Sequence, residues 1–189
     1  MRAALDELGE VGAGGMTVGG LVERAKVSKK TFYENFDGLE ECVNESLEVV
    51  NLIVGTEVAE AAEAALAEPG ARPFAKVEAL VSEMFAAAAE EPVVATAILA
   101  TGFGLSESKA AAWLFYNTAR RHILASYYQD ARGSIADLPE PGEMEMTAAT
   151  GLIEDTLRRA LAAGEHEQLP AMAGEVAAAI VRVLSGGRH

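Results

Sequence analysis

Residues 17 to 36, TVGGLVERAKVSKKTFYENF, constrain the fold more than any other stretch, because they read as two short helices joined by a turn of three or four residues. Thr17 stands where a side-chain oxygen can accept from the orphan N–H groups of a first helix. Val18, Leu21, Val22 and Ala25 then recur at i, i+3, i+4 and i+7, one face of a 3.6-residue period. Lys26 and Val27 break that period. Ser28 predicts a second cap, with Val27 and Phe32 at the two positions of a hydrophobic staple. From Lys29 onward, Phe32 and Phe36 fall on one side, Lys30, Thr31 and Glu34 point away, and Lys29, Tyr33 and Asn35 flank the buried side.

Such a pair has the geometry of a helix-turn-helix whose second member enters the major groove of DNA. Lys29 and Lys30 suit phosphates or guanine edges, and Thr31 and Tyr33 suit phosphate oxygens. Thr17, with its helix N-terminus, suits the backbone beside the groove. Ser28 and Asn35 complete the DNA-facing set. Glu34 is repelled by phosphate unless it accepts from a cytosine amino group or pairs with a lysine, so it favours specificity over affinity.

Periodicity alone would also describe an ordinary helical hairpin with a solvated charged face. The run from Ala3 to Val43 adds an AAL near its start, a Gly-rich turn, then TV, an apolar pair, A-x-V-S, T-F-Y, an aromatic at Phe36 and an acidic pair before an apolar helix. In this it resembles the DNA-binding domain of the TetR (tetracycline-repressor) family of bacterial transcription regulators. The resemblance implies an all-α chain with an N-terminal three-helix helix-turn-helix domain over residues 1–38 and a helical effector-binding and dimerisation domain over 39–189. It also implies a repressor on double-stranded operator DNA, released by a small apolar effector. Two positions depart from the pattern: Lys30 stands where the family usually has a small residue, and Leu39 where it often has a phosphate-gripping base. The chain opens in mid-helix at Met1, so its first helix is expected to be truncated.

Composition limits the rest. The formal net charge of −14 argues, taken alone, against nucleic acid. Its distribution matters more: residues 17 to 36 hold Arg24, Lys26, Lys29 and Lys30 against Glu23 and Glu34, whereas residues 37 to 70 hold nine acids and no Lys or Arg. Only one short surface can face phosphate, and the acidic remainder resists non-specific contact. The single cysteine, Cys42, excludes an intramolecular disulfide and fits a reducing cytoplasm, as a buried packing residue before a redox sensor. The longest uncharged run, Pro92 to Ser106, has 15 residues, fewer than the roughly 20 that span a bilayer, so a soluble protein without membrane partners is expected.

Past residue 37 strand-like alternation is absent, and breaks at 68–73, 90–92, 101–104 and 131–143 predict helices near 39–66, 74–89, 93–101, 106–129, 144–164 and 168–185. Ala149, Leu152, Ile153, Leu157, Ala160 and Leu161 form one apolar stripe; Leu169, Met172, Ala173, Val176, Ala177, Ile180 and Leu184 form another. Both are expected to pair with their twofold copies, making a homodimer through residues 144–184, the alternative being that they only close the protomer's own core. Between the two ends, Phe85, Thr96, Phe103, Trp113, Tyr116, Asn117 and Arg120 place aromatics and isolated polar groups on otherwise apolar segments, the candidate effector site, the alternative being that the aromatics are core and Arg120 pairs with an acid.

The rival class is an enzyme. Ferritin-like chemistry needs Glu-x-x-His pairs, but Ala119 and Ala163 stand three residues before His122 and His166, and no Cys or His cluster has zinc spacing. Neither catalytic residues, metal nor cofactor are expected. A further alternative is a helix-turn-helix-derived protein that acts through a protein partner without binding DNA.

Overall fold

Proline and glycine punctuation places the helix ends. The computed structural model describes residues 1–12, 14–67, 72–100 and 107–187; for Leu66, Ala100 and residues 107–117 it gives the backbone alone. The helices are α1 Arg2–Val11, α2 Val18–Ala25, α3 Lys29–Tyr33, α4 Leu39–Ala67, α5 Ala75–Glu90, α6 Pro92–Ala100, α7 Glu107–Arg132, α8 Glu143–Ala163 and α9 Leu169–Leu184. A 3-10 turn, His166–Gln168, precedes α9. No strand occurs among the described residues, and none of their helices is long and apolar enough to cross a membrane. Pro92 opens α6, where a missing N–H is harmless. Gly164 ends α8 at φ 72°, a left-handed backbone that glycine adopts freely.

Packing divides the chain into two units, Met1–Ile53 with Glu91–Leu114, and Val54–Glu90 with Phe115–His189. The division falls inside α4. The reason is that the first turns of α4 lend Cys42, Val43 and Leu47 to the N-terminal core.

In the first unit α1 is buried on two sides. Ala4 joins Leu21, Val22, Phe32 and Cys42 in one cluster, while Leu5 and Leu8 join Val43, Leu47, Val94 and Ala97 in another. A Cβ on Gly9 would run into the Val93 carbonyl, so glycine lets α1 and α6 approach closely. At the same seam the Arg2 guanidinium donates to both Glu91 oxygens at 3.1 and 2.7 Å and to Asp6 at 2.9 Å. Arg2 holds the Glu91 carboxyl below its ordinary range. The pair is exposed, so it orients the seam more than it stabilises it.

The second unit is built on α5. Its buried face of Val77, Leu80, Val81, Phe85 and Ala88 packs chiefly against α9, and α8 packs on α9 in turn. The Tyr128 hydroxyl donates to the Leu184 carbonyl at 2.9 Å, satisfying a phenol that burial would otherwise penalise. Lys76 lies over the Tyr127 ring and meets Asp130 at 2.7 Å and Glu63 at 2.9 Å; hydrogen bonds to these two carboxylates push its pKa up.

This arrangement corrects the reading of the two stripes. Ala149, Ile153, Leu157 and Ala160 on α8, and Leu169, Ala173, Ala177, Ile180 and Leu184 on α9, are buried within the protomer itself. The apolar face of α5 needed a partner, and α9 supplies it. Leu152, Leu161 and Val176 are half-buried, and of the thirteen only Met172 is exposed. Ile180→Glu is therefore expected to unfold the second unit, costing about 3 kcal/mol or more because a carboxylate would be buried without a partner. An absent or sharply lowered unfolding transition should appear in calorimetry; a folded, merely monomeric variant would contradict the packing.

Candidate nucleic-acid interface and effector cleft

Both predicted caps form. Thr17 Oγ1 accepts from Gly20 N at 3.0 Å, and Ser28 Oγ accepts from Thr31 N at 3.0 Å. Between them Lys26 takes a left-handed conformation, φ 55°, with Val27 N donating to the Val22 carbonyl at 3.0 Å. A lysine there carries strain of about 1 kcal/mol that glycine would avoid. Val27 stays 44 % exposed, so it contributes little to the expected staple.

α3 has only five residues, too few to be stable alone, and Phe32 anchors it. Phe36 lies beside Phe32 at 5.5 Å between ring centroids, and Tyr33 meets it edge-on at 5.2 Å. With its ring braced and 58 % of its surface exposed, Tyr33 presents its hydroxyl outward on a fixed base. Lys29 and Thr31 are exposed beside it, and Lys29 and Lys26 have no ion pair among the described residues. Lys30 lies 3.7 Å from Glu34, one turn on, so Glu34 takes the lysine-paired alternative. The Thr31 hydroxyl is 2.9 Å from Ser28 Oγ, and the Asn35 amide donates to the Thr31 carbonyl at 2.7 Å. Ser28, Thr31 and Asn35 thus use some of their hydrogen-bonding capacity to hold α3 together.

Arg24 is not part of that outward face. Its guanidinium donates to Glu7 at 3.1 Å and to both oxygens of Glu10 at 3.0 and 2.5 Å, pinning α2 to α1. Arg24 holds the Glu10 carboxyl below its ordinary range. Sequence patterning missed Glu7, whose buried carboxylate rests against Gly20, where an added Cβ would collide with it. A capping box places Glu or Gln at the third helical position; here that position is Gly20, and α1 brings a carboxylate to the same place from another helix. The negative charge also suits the first turn of α2. A threonine cap followed by glycine at the third position was the available signal.

The start of α4 is acidic: Glu40 and Glu41 occupy its first turn, and Glu41 accepts from the Asp37 N–H. Leu39 is committed to the core beside Phe32. The buried thiol of Cys42 is pushed up by desolvation, the wrong direction for a reactive thiolate.

The candidate effector residues separate. Phe85 is fully buried in the second unit, and Thr96, in the first, donates its hydroxyl to the Pro92 carbonyl at 2.8 Å. Phe103 and the side chains of Trp113, Tyr116 and Asn117 lie outside the described residues. Arg120 lines a cleft with Leu80, Met84, Leu124, Thr150, Ile153 and Glu154. Its void is about 10 Å³, near the lower limit for a single water. Among the described residues no group of His, Cys, Asp and Glu could hold a metal.

The packing of Glu7 on Gly20 predicts non-additivity. Gly20→Ala alone must displace Glu7 from Arg24, whereas in a Glu7→Ala background it should gain the roughly 1 kcal/mol by which alanine exceeds glycine in helices. Urea unfolding of the four proteins should therefore show coupling of about 1 kcal/mol or more. Strict additivity would contradict this packing.

Residues 1–45 match the family model of bacterial regulatory proteins, tetR family. No curated protein matches the chain. Among solved structures, the fold is similar to the transcriptional regulator FadR from Bacillus subtilis in complex with stearoyl-CoA, at TM-score 0.79 and 16 % identity over 100 % of this chain and 97 % of that one. It is also similar to the fatty acid degradation regulator FadR from Bacillus halodurans, at TM-score 0.80 and 15 % identity over 100 % and 94 %. A TetR transcription regulator from Haloarcula marismortui matches at TM-score 0.73 and 17 % identity, over 94 % of each chain. Residues 1–45 thus carry a segment similar to the tetR family of bacterial regulatory proteins, and over its length the chain has the all-α fold of these solved structures.

Proposed function

We propose that the chain is a ligand-responsive transcriptional repressor that binds operator DNA as a homodimer in the cytoplasm, without catalysis, metal or cofactor. The observation that carries this is the anchored α3, which turns Lys29, Lys30, Thr31 and Tyr33 outward from a braced base within the family-matching segment. Thr17 at the start of α2 serves the neighbouring phosphates, since its hydroxyl proton remains available while its oxygen caps the helix.

Support for a dimer comes from glycines that nothing among the described residues requires. Gly151 in α8 and Gly174 in α9 stand mid-helix and exposed, with open space where a Cβ would sit. Each costs about 0.5–1 kcal/mol relative to alanine. A second copy packed backbone to backbone would use them, so we place the contact on the face of Met144, Ala148 and Gly151 with Ala171, Met172 and Gly174.

The effector is proposed to have an apolar chain, in keeping with the stearoyl-CoA held by the Bacillus subtilis neighbour. Trp113, Tyr116, Asn117 and Arg120 remain its proposed contacts. Transmission has a physical route: α5 ends at Glu90 and α6 begins at Pro92, and α6 packs on α1 through Gly9 and Val93. A ligand that shifts α6 would shift the anchored reader. About 100-fold release of DNA needs roughly 2.7 kcal/mol of coupling.

The second reading, a protein-binding module without DNA contact, is favoured by two facts: Arg24 is locked in ion pairs, and Lys30 lies beside Glu34. Fluorescence anisotropy on duplex DNA from upstream of the gene separates the two. Lys29→Ala and Lys30→Ala should each weaken binding and reduce the salt slope by about 0.9 for each phosphate no longer neutralised, doubled for a dimer. Tyr33→Ala should weaken binding without unfolding the protein, because Phe32 holds α3. Unchanged affinity in all three variants across a salt series would favour the second reading.

A further inference from the structure

Few groups on the outward face of α3 are left over from holding the helix together. The Ser28 and Thr31 hydroxyls lie 2.9 Å apart, Ser28 Oγ also accepts from Thr31 N, and the Asn35 amide donates to the Thr31 carbonyl at 2.7 Å. Lys30 and Glu34 differ. Their side chains are 85 and 57 % exposed, one helical turn apart, with Lys30 Nζ 3.7 Å from Glu34 Oε1. Neither anchors α3, which Phe32 fixes from its buried side. An ammonium has three donors and a carboxylate about four lone-pair sites, so each keeps capacity beyond their mutual contact. The pair therefore offers solvent a donor beside an acceptor.

That pattern is the complement of one base-pair edge. In a G·C pair guanine O6 accepts from cytosine N4, which puts acceptor and donor about 2.9 Å apart, and the major groove displays both, with guanine N7 as a second acceptor. Resting on the proposal that α3 reads DNA, we infer that Lys30 and Glu34 jointly read one G·C pair in each half-site: Lys30 donates to guanine O6 and N7, and Glu34 accepts from cytosine N4. An A·T pair fits worse. Its one donor, adenine N6, lies between two acceptors, adenine N7 and thymine O4, and a carboxylate is repelled by both. Inverting the pair to C·G sets the amino group against Lys30 and the acceptors against Glu34, so orientation is read as well. Lys30 also offsets the charge that Glu34 brings among the phosphates, which lets a carboxylate enter the groove. The contact between the two side chains thus presets the reading pair and does not withdraw the lysine from DNA.

The test takes duplexes that the full chain selects from a random pool, alters them one base pair at a time, and measures anisotropy. One G·C pair in each half-site should cost about tenfold or more in affinity when it is inverted or replaced by A·T. Placing 7-deazaguanine there, which lacks N7, should weaken the wild type by about threefold or more and leave Lys30→Ala unaffected. The wild-type half of that comparison decides the matter if a variant does not fold. Glu34→Gln should move the preference at the same pair to adenine in the cytosine's place, because a carboxamide pairs with adenine N6 and N7. Its affinity for unrelated duplex should rise, since a negative charge is gone; a merely structural role for Glu34 would move neither. A selected site without such a G·C pair, no response to 7-deazaguanine, or a base preference that Lys30→Ala and Glu34→Gln leave intact would overturn the inference and leave the regulator standing. A wild type that retains no specific sequence would overturn both.

Discussion

Burial of one side chain, Phe32, holds the reading surface in place. A five-residue helix has too few internal hydrogen bonds to offset its own nucleation, so α3 exists because Phe32 inserts among Ala4, Leu21, Val22 and Cys42. Those four residues come from α1, α2 and α4, and each of these helices is fixed in turn by something else. Glu7 and Glu10 grip Arg24 to set α2 on α1. Leu5 and Leu8 set α1 on α4 and α6. Displacing any of these elements moves the same short helix, which is how a change at α6 would reach the DNA contacts proposed for α3.

Electrostatics narrows where those contacts can form. The chain is strongly acidic, and the acids press close to the reader: Glu40 and Glu41 begin α4, and Glu34 sits beside Lys30. With Arg24 locked, the outward positive charge of the segment comes from Lys26, Lys29 and Lys30. On the proposed function, a surface this small and bounded by acids would give modest affinity per reader and strong salt dependence, and two readers on one symmetric site would compensate. The exposed mid-helix glycines of α8 and α9 are where that proposed pairing would bring two copies together.

What could be read from the sequence was local. Thr17 and Ser28 cap their helices as their neighbours dictate, and the breaks at Pro92 and Gly164 fall where proline and glycine chemistry places them. What escaped was any contact made by residues far apart in the chain. Glu7 filling the space over Gly20, 13 positions on, leaves no periodic trace. The α9 stripe resembles an intersubunit seam because periodicity marks a buried face without naming its partner, and the partner is α5 of the same chain. Arg120 stands out in the sequence as a polar group on an apolar helix; its pairing with Glu154, 34 residues away, depends on the fold.

The most direct test of the central claim, that α3 reads DNA on a twofold site, is selection of bound duplexes from a random pool followed by hydroxyl-radical footprinting. The account predicts an inverted repeat whose half-sites are centred about 10 base pairs apart, or a multiple of that, with protection on one face of the duplex. Lys29→Ala and Tyr33→Ala should alter the bases selected within each half-site. Recovery of unrelated duplexes whose retention depends on salt alone, or a selected site that these substitutions leave unchanged, would contradict it.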